Sequence, residues 1–198
     1  MTHTKNLRFG VIGAGRIGKI HAQNLATRIH GAEVATIADV DLKAAQDLAA
    51  QIHVPSAVDD YHLILSDPTI EAIAICSSTD THANIVMEAA QAGKHIFCEK
   101  PIDLRLDKID AALEAVTKTG VKLQIGFNRR FDPNFRKVQT MVAEGKVGTP
   151  HIIRITSRDP APPPLSYVEV SGGMFLDMTI HDFDMARYLS GSEVEEVY

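Results

Sequence analysis

The segment Arg8–Gly18, RFGVIGAGRIG, constrains this chain more than any other. Its apolar start, from Phe9 to Ile12, predicts a buried strand, and the residues after Gly18 follow a helical pattern. Between them stands G-x-G-x-x-G. The first glycine permits a tight turn, the second lets a ligand approach the backbone, and the third lets the helix pack closely on the strand. The unpaired N–H groups at the start of the helix favour an anion, so the segment predicts a pyrophosphate site.

A second apolar run, Val34–Ala38, ends in Asp39, which follows the glycine turn by about 20 residues, as in dinucleotide-binding folds. The carboxylate of Asp39 would accept hydrogen bonds from the adenosine ribose and repel a 2′-phosphate. The sequence therefore predicts NAD(H) as the cofactor and not NADP(H). The alternative is a glycine-rich turn without a ligand, followed by an ordinary solvated aspartate.

Composition excludes several classes of partner. The chain of 198 residues has a formal charge of −5 and no basic block, which argues against nucleic acid and against a membrane surface. No apolar run approaches the roughly 18 residues of a membrane-spanning helix. Cys76 and Cys98 lie in apolar runs and form no C-x-x-C motif. We expect two buried, reduced thiols in a cytoplasmic protein.

Strands and helices alternate at short spacing as far as Gly126, which predicts a doubly wound parallel α/β sheet, the Rossmann arrangement. We therefore assign residues 1–126 to a dinucleotide-binding domain and residues 127–198 to the start of a second α/β domain with an open sheet. One helix and one or two strands cannot cover both faces of a sheet. We therefore expect the N-terminal part of a longer protein, or a chain that borrows the missing strands from a partner. The elements expected in it are a helix at Pro133–Glu144, a strand at His151–Ser157, a proline-rich loop at residues 159–167, a helix at Met174–Leu189 and a strand beginning at Glu195–Tyr198.

Ligands of open α/β sheets bind at the carboxyl ends of the strands. Three polar stretches besides the glycine turn follow predicted strands, namely Ser77–Thr81, Glu99–Pro101 and Asn128–Arg130. Lys100 comes directly after a buried strand, so it could hold a substrate oxygen. The alternative is a solvated Glu99–Lys100 pair. The residues expected to bind the cofactor are Gly13, Gly15, Arg16, Ile17, Gly18, Asp39, Ser77, Ser78, Thr79, His82, Glu99 and Lys100.

The two arginines that follow Asn128 have two interpretations. Arg129 and Arg130 could bind substrate hydroxyls or a phosphate, or pair with the neighbouring Asp132.

Asp177 and His181 stand four residues apart in a predicted helix, so they share one face of it. A carboxylate beside an imidazole can orient the ring, set its tautomer and stabilise its charged form. This makes His181 a candidate general base. A His/Asp metal site is one alternative, although no further ligand follows at suitable spacing, and we expect no metal. An acid-rich first helical turn with a chance histidine is the other.

Together these motifs resemble the glucose–fructose oxidoreductase/inositol dehydrogenase/rhizopine-catabolism family. The resemblance extends over essentially the whole chain, and five stretches carry it. They are VIGAGRIG, ADVD with Asp39, EKP at Glu99–Pro101, GFNRRFDPNF at Gly126–Phe135 and GGMFLDMTIHDFDMARYL at Gly172–Leu189.

The resemblance implies an NAD-dependent dehydrogenase that oxidises a secondary alcohol of a cyclic polyol, with myo-inositol as the first candidate. By motif position, Lys100 matches the active-site lysine of the family, Asp177 its acid and His181 its histidine. We expect Lys100 and His181 to converge on one alcohol carbon, where His181 takes the hydroxyl proton and Lys100 stabilises the alkoxide as hydride leaves for the nicotinamide. The resemblance also implies a homo-oligomer formed through the complete second-domain sheet. The alternatives are a dehydrogenase of another sugar or inositol isomer, and an NAD-binding fragment or regulator without turnover.

Overall fold

The computed structural model describes residues 5–163, 165–168 and 171–198, and for Ser166 it describes the backbone alone. Its contacts divide the chain into two compact units, Met1–Gly126 and Phe127–Tyr198. None of the helices among the described residues is long and apolar enough to cross a membrane.

The first unit is a parallel sheet with helices on both faces. Its strands are β1 (Leu7–Ile12), β2 (Ala32–Ala38), β3 (Ser56–Val58), β4 (Ala72–Ile75), β5 (His95–Cys98) and β6 (Leu123–Ile125). Its helices are α1 (Arg16–Thr27), α2 (Leu42–Gln51), α3 (His62–Ser66), α4 (Thr79–Gln91) and α5 (Leu106–Thr119).

The six strands are ordered β3-β2-β1-β4-β5-β6, and every pairing is parallel. This order confirms the predicted Rossmann arrangement. The strand order reverses between β1 and β4, and at such a point the loops at the carboxyl ends separate and leave a crevice for a ligand.

The core lies on both faces of the sheet because successive side chains of a strand point to opposite faces. Val11 packs with residues of α1 and α2, while its neighbour Ile12 packs with residues of α3, α4 and α5. All four residues of β4 are buried, as expected for a central parallel strand.

The second unit consists of helices and extended segments. A 3₁₀ helix at Asn128–Phe131 leads into α6 (Pro133–Ala143), in which the Asp132 side chain accepts hydrogen bonds from the backbone N–H groups of Asn134 and Phe135. Proline stands at the start of α6, where its missing N–H costs nothing. A single turn, α7 (Leu165–Val168), and α8 (Ile180–Ser190) follow.

Four predictions for the second unit are corrected. Residues 151–157 and 195–198 form no strand, because a strand needs a hydrogen-bonding neighbour and the described part of this unit supplies none. Residues 165–168 form a helical turn that begins inside the expected loop at residues 159–167. The helix expected from Met174 to Leu189 is not uniformly α, since Phe175–Thr179 is a π-helix.

Candidate functional site

The glycine turn places the start of α1 against the carboxyl end of β1. Gly13 has a φ of 104°, and a Cβ atom there would lie 2.5 Å from the carbonyl oxygen of Cys76. A Cβ atom on Gly18 would lie 1.9 Å from the carbonyl oxygen of Gly13. Gly15, in contrast, faces open space, with no atom within 4 Å of a Cβ placed on it. Two of the glycines are thus required by packing, and the third keeps a surface clear.

Asp39 ties the end of β2 to this turn. Its Oδ2 atom accepts a hydrogen bond from the backbone N–H of Ala14 at 2.6 Å, and its Oδ1 atom accepts one from the N–H of Asp41 at 2.9 Å. These bonds fix the carboxylate in position, and each oxygen keeps a further lone pair for a ligand hydroxyl.

A cavity of 710 Å³ opens where the glycine turn, the end of β2 and the loop after β4 meet. Five of the predicted cofactor residues line it, namely Gly13, Gly15, Asp39, Ser77 and Ser78. Its wall also includes Tyr61, Thr81 and Asn84, which the sequence analysis did not assign to the cofactor. Thr81 could have been found from its place after a strand, whereas no sequence signal marks Tyr61 or Asn84.

Other predicted cofactor residues lie around this cavity in different ways. Arg16 and Thr79 are the first residues of α1 and α4, next to the wall residues Gly15 and Ser78. Ile17 instead packs against the apolar core beside α1. The direct contacts predicted for these side chains stay predictions.

Glu99 has a partner that the sequence analysis missed. Its Oε1 atom lies 2.7 Å from Nε2 of His21, a residue of α1, and both side chains are largely shielded from solvent. The His21 ring also contacts the ring of Phe97, with centroids 4.8 Å apart. His21 and Glu99 stand 78 positions apart, so nothing in the sequence marks the pair. The pair joins the helix of the glycine turn to the end of β5.

Lys100 stands two residues after the end of β5 in the first unit, where it is half-buried, and its peptide bond to Pro101 is cis. His82, in the first turn of α4, is 1% exposed. Its Nδ1 atom lies 2.8 Å from the carbonyl oxygen of Pro101, and its Nε2 atom lies 3.1 Å from that of Ser77. The predicted contact of His82 with a cofactor stays a prediction. The buried ring contacts the carbonyl oxygen of Ser77, and Ser77 lines the cavity.

Asp177 and His181 belong to the second unit. Asp177 stands in the π-helical turn, where its Oδ1 atom accepts a hydrogen bond from the Tyr167 hydroxyl at 2.8 Å. His181 stands near the start of α8, and its ring meets the Phe127 ring edge-on, with centroids 6.4 Å apart. Single π turns within helices occur frequently at functional sites.

The two arginines of the 3₁₀ helix bind carboxylates of α8, a pairing that neither of the two interpretations from the sequence included. Arg129 donates to Asp182, which also accepts a hydrogen bond from the Ser157 hydroxyl. Arg130 donates from Nε and Nη2 to both oxygens of Asp184, at 2.7 to 3.0 Å. Asp184 is buried, and the guanidinium also lies over the ring of Tyr188.

Electrostatics at these positions follow from burial and partners. Burial by itself would raise the pKa of Asp182, but the hydrogen bonds from Ser157 and Arg129 outweigh it and hold the pKa below its ordinary value of 3.8. Burial raises the pKa of both free thiols, Cys76 and Cys98. The cysteines are therefore protonated core residues, as predicted.

The first unit fits a dinucleotide. The N-terminus of α1 and the clear surface at Gly15 suit a pyrophosphate, and the fixed carboxylate of Asp39 suits the ribose hydroxyls. Fold and cavity together define a dinucleotide-binding domain.

The chain belongs to the GFO/IDH/MocA oxidoreductase family. The family model described as "Oxidoreductase family, NAD-binding Rossmann fold" matches residues 7–127, and the model of the GFO/IDH/MocA C-terminal domain matches residues 135–198. The first unit is thus an NAD-binding Rossmann domain, as the position of Asp39 predicted.

Several named proteins and solved structures are similar to this chain. A myo-inositol 2-dehydrogenase from Thermotoga maritima is 53% identical over 192 residues, covering 97% of this chain and 57% of that protein. The crystal structure of a probable dehydrogenase from Thermotoga maritima has a TM-score of 0.93 at 53% identity, over 96% of this chain and 56% of that one. A scyllo-inositol dehydrogenase from Lactobacillus casei, solved with NAD(H) and scyllo-inositol, has a TM-score of 0.87 at 35% identity, over 94% of this chain and 57% of that one. The chain spans a little over half the length of these relatives.

Two glycine variants separate packing from binding in the turn. Gly18→Ala places a methyl group on the Gly13 carbonyl, so we expect a loss of stability of about 1–3 kcal/mol, the usual cost of overpacking. Gly15→Ala meets no protein atom, so its stability should stay within about 0.5 kcal/mol while NAD affinity falls at least about 10-fold. Urea denaturation and NAD titration measure the two effects. Equal stability of the two variants would contradict the packing role.

The depressed pKa of Asp182 predicts an acid-sensitive contribution to stability. Because the folded-state pKa lies below 3.8, the contribution is present above that pH and is lost as pH falls through the folded value. Asp182→Asn should cost about 1–2 kcal/mol at pH 7, and the difference from wild type should shrink below about pH 4. Asp159→Asn, an exposed acid of the same unit, serves as the control in denaturation at both pH values. A pH-independent difference would contradict this assignment.

Proposed function

We propose that the complete protein oxidises a secondary alcohol of a cyclic polyol with NAD, and that myo-inositol is its substrate. The observation that carries the proposal is 53% identity, over 97% of this chain, to a protein named myo-inositol 2-dehydrogenase. The fixed Asp39 carboxylate on the wall of the NAD cavity supports it from the chain itself.

In this proposal, NAD supplies the hydride acceptor when bound, and the protein handles position and protons. Lys100, held at the carboxyl end of β5, donates hydrogen bonds to the substrate hydroxyl and stabilises the negative charge that develops on its oxygen. His181 accepts the hydroxyl proton as general base. Asp177, which accepts a hydrogen bond from Tyr167, stabilises the imidazolium that results.

Pairing of the arginines supports an uncharged substrate. Anionic substrates are commonly bound by arginine forks, because the guanidinium matches a carboxylate or phosphate with two parallel bonds. In this chain the fork of Arg130 is taken by Asp184, and Arg129 is bound to Asp182. A polyol, which offers only hydroxyl groups, needs no such neutralising cation.

The identity of the polyol is the part of the proposal with a close rival. The structure solved with scyllo-inositol also matches this chain, at a TM-score of 0.87. Similarity therefore does not separate myo-inositol from scyllo-inositol as the substrate, and an experiment must. A panel of inositol isomers and sugars, followed by NADH fluorescence, separates the two substrates. NAD binding without reduction by any member of the panel would favour a regulator without turnover.

Two further proposals concern the setting of the protein. We place it in the cytoplasm, because both cysteines are buried as free thiols.

We also propose a homo-oligomer built through the second-domain sheet. The exposed apolar side chains of the second unit support it, among them Ile152, which is 89% exposed.

The mechanism predicts large losses of turnover from two single substitutions. In the full-length gene product, His181→Ala should lower kcat about 10²–10⁴-fold, the usual contribution of a general base. Lys100→Ala should lower it about 10²–10³-fold, because the developing oxyanion loses its donor. Steady-state NADH formation with myo-inositol measures both losses.

Lys118→Ala provides the control, since this exposed lysine of α5 pairs with Glu114 along its own helix. The double variant tests whether both residues serve one step, because groups acting as a unit lose less together than the sum of their separate losses. Near-normal turnover of every polyol tried by both single variants would show that the mechanism is wrong.

Asp39 should control the choice between NAD and NADP. Asp39→Ala removes the ribose acceptor and the repulsion of a 2′-phosphate, so the NAD/NADP ratio of kcat/KM should fall at least about 10-fold. Loss of the bonds to Ala14 and Asp41 affects both cofactors alike and cancels in the ratio. Asp47→Ala, on the exposed side of α2, is the control. An unchanged ratio would refute the role given to Asp39.

A further inference from the structure

We propose that His82 is a positioning residue that holds Lys100 in register with the NAD cavity. This rests on the proposed function of Lys100. The imidazole spans two loops of the first unit, with Nδ1 2.8 Å from the Pro101 carbonyl oxygen and Nε2 3.1 Å from the Ser77 carbonyl oxygen. Pro101 follows Lys100 directly, and Ser77 lines the cavity. One rigid ring therefore sets the distance between Lys100 and the loop after β4 that contains Ser77, which we call the cofactor loop.

The surroundings make this link more than space filling. His82 is 1% exposed and Pro101 is buried, so water does not compete for the contact between them. Pro101 has no N–H, which leaves its carbonyl as its single backbone hydrogen-bonding group. A buried carbonyl deprived of its donor is costly, and the chain around it shifts to find another. Loss of the Nδ1 bond thus acts on the residue next to Lys100.

The two ends of the link differ in how well they are supported from elsewhere. The loop after β4 has internal bonds of its own. The hydroxyls of Ser77 and Thr81 lie 2.7 Å apart, and Thr81 also donates to the Ser78 carbonyl at 2.7 Å. Removing the Nε2 bond should therefore disturb the cofactor loop only moderately, while removing the Nδ1 bond should act mainly on Lys100.

Two amide side chains separate these effects. The amide nitrogen of asparagine lies near the position of Nδ1, and that of glutamine lies near the position of Nε2. His82→Asn keeps an N–H group facing the Pro101 carbonyl and has none facing the Ser77 carbonyl, whereas His82→Gln does the reverse. His82→Ala removes both ring nitrogens.

The experiment measures kcat with myo-inositol and the Kd of NAD by calorimetry on the full-length gene product. We expect His82→Gln to lower kcat about 10-fold or more with the Kd of NAD within about 2-fold, because a small misplacement of a catalytic group is costly. His82→Asn should keep kcat within about 3-fold and weaken NAD binding about 3- to 10-fold, as expected for one lost hydrogen bond. His82→Ala should show both losses. Thermal melting confirms folding, and His30→Asn and His30→Gln, at an exposed position after α1, are the matched controls.

The outcomes separate failure of this proposal from failure of the proposed function. Asparagine and glutamine variants that match each other in both measurements would overturn it, because the ring would then only fill space. Higher kcat in His82→Gln than in His82→Asn would overturn it as well. If the wild-type protein oxidises no polyol, the proposed function is wrong and the binding arm alone decides. Weaker NAD binding by His82→Asn than by His82→Gln then supports the link through Ser77, and equal binding overturns it.

Discussion

The absence of side chains at two positions sets the geometry of the first unit. A methyl group on Gly18 would occupy the place of the Gly13 carbonyl oxygen, and one on Gly13 would overlap the backbone after β4. Because neither exists, α1 begins directly at the end of β1 and lies against it. Its N-terminal N–H groups then point to the crevice where the strand order reverses between β1 and β4. The cavity is thus a consequence of close backbone packing.

The proposed selectivity for NAD depends on the carboxylate of Asp39, which the backbone holds in place before any ligand binds. The two oxygens of Asp39 accept hydrogen bonds from main-chain N–H groups on either side, one in the glycine turn and one at the start of α2. A carboxylate held in this way loses no side-chain entropy when ribose binds. In the proposed function, discrimination between NAD and NADP therefore depends on the backbone that holds Asp39 as well as on its charge.

The fold of the first unit could be predicted because its signals are local. The central strands contain apolar runs, such as Ala72–Ile75 in β4, and the alternation of strands and helices predicts a doubly wound parallel sheet. The second unit was predicted less well because its outcome depends on distant partners. The alternating isoleucines at residues 151–157 are typical of a strand, but no described neighbour pairs with them. The π turn at Phe175–Thr179 has the same residue pattern as an α-helix and differs only in its backbone hydrogen bonds.

The same contrast holds at the site. Some residues could be placed from their position in the sequence, whereas the role of others depends on a partner far away in the chain. Sequence position alone placed the glycines, Asp39 and the loop after β4 at the cavity, but it could not decide what Arg129, Arg130 and Glu99 do. Their partners stand 53, 54 and 78 positions away. The fork of Arg130 on the buried Asp184 is charge-assisted and bidentate, and a neutral hydroxyl could replace only one such bond with a weaker one. Exchange of Asp184 for a polyol hydroxyl would therefore raise the free energy. Arg130 instead holds α8 to the 3₁₀ helix. A charged residue in a family motif can thus be retained for the element that it positions and not for a contact with substrate.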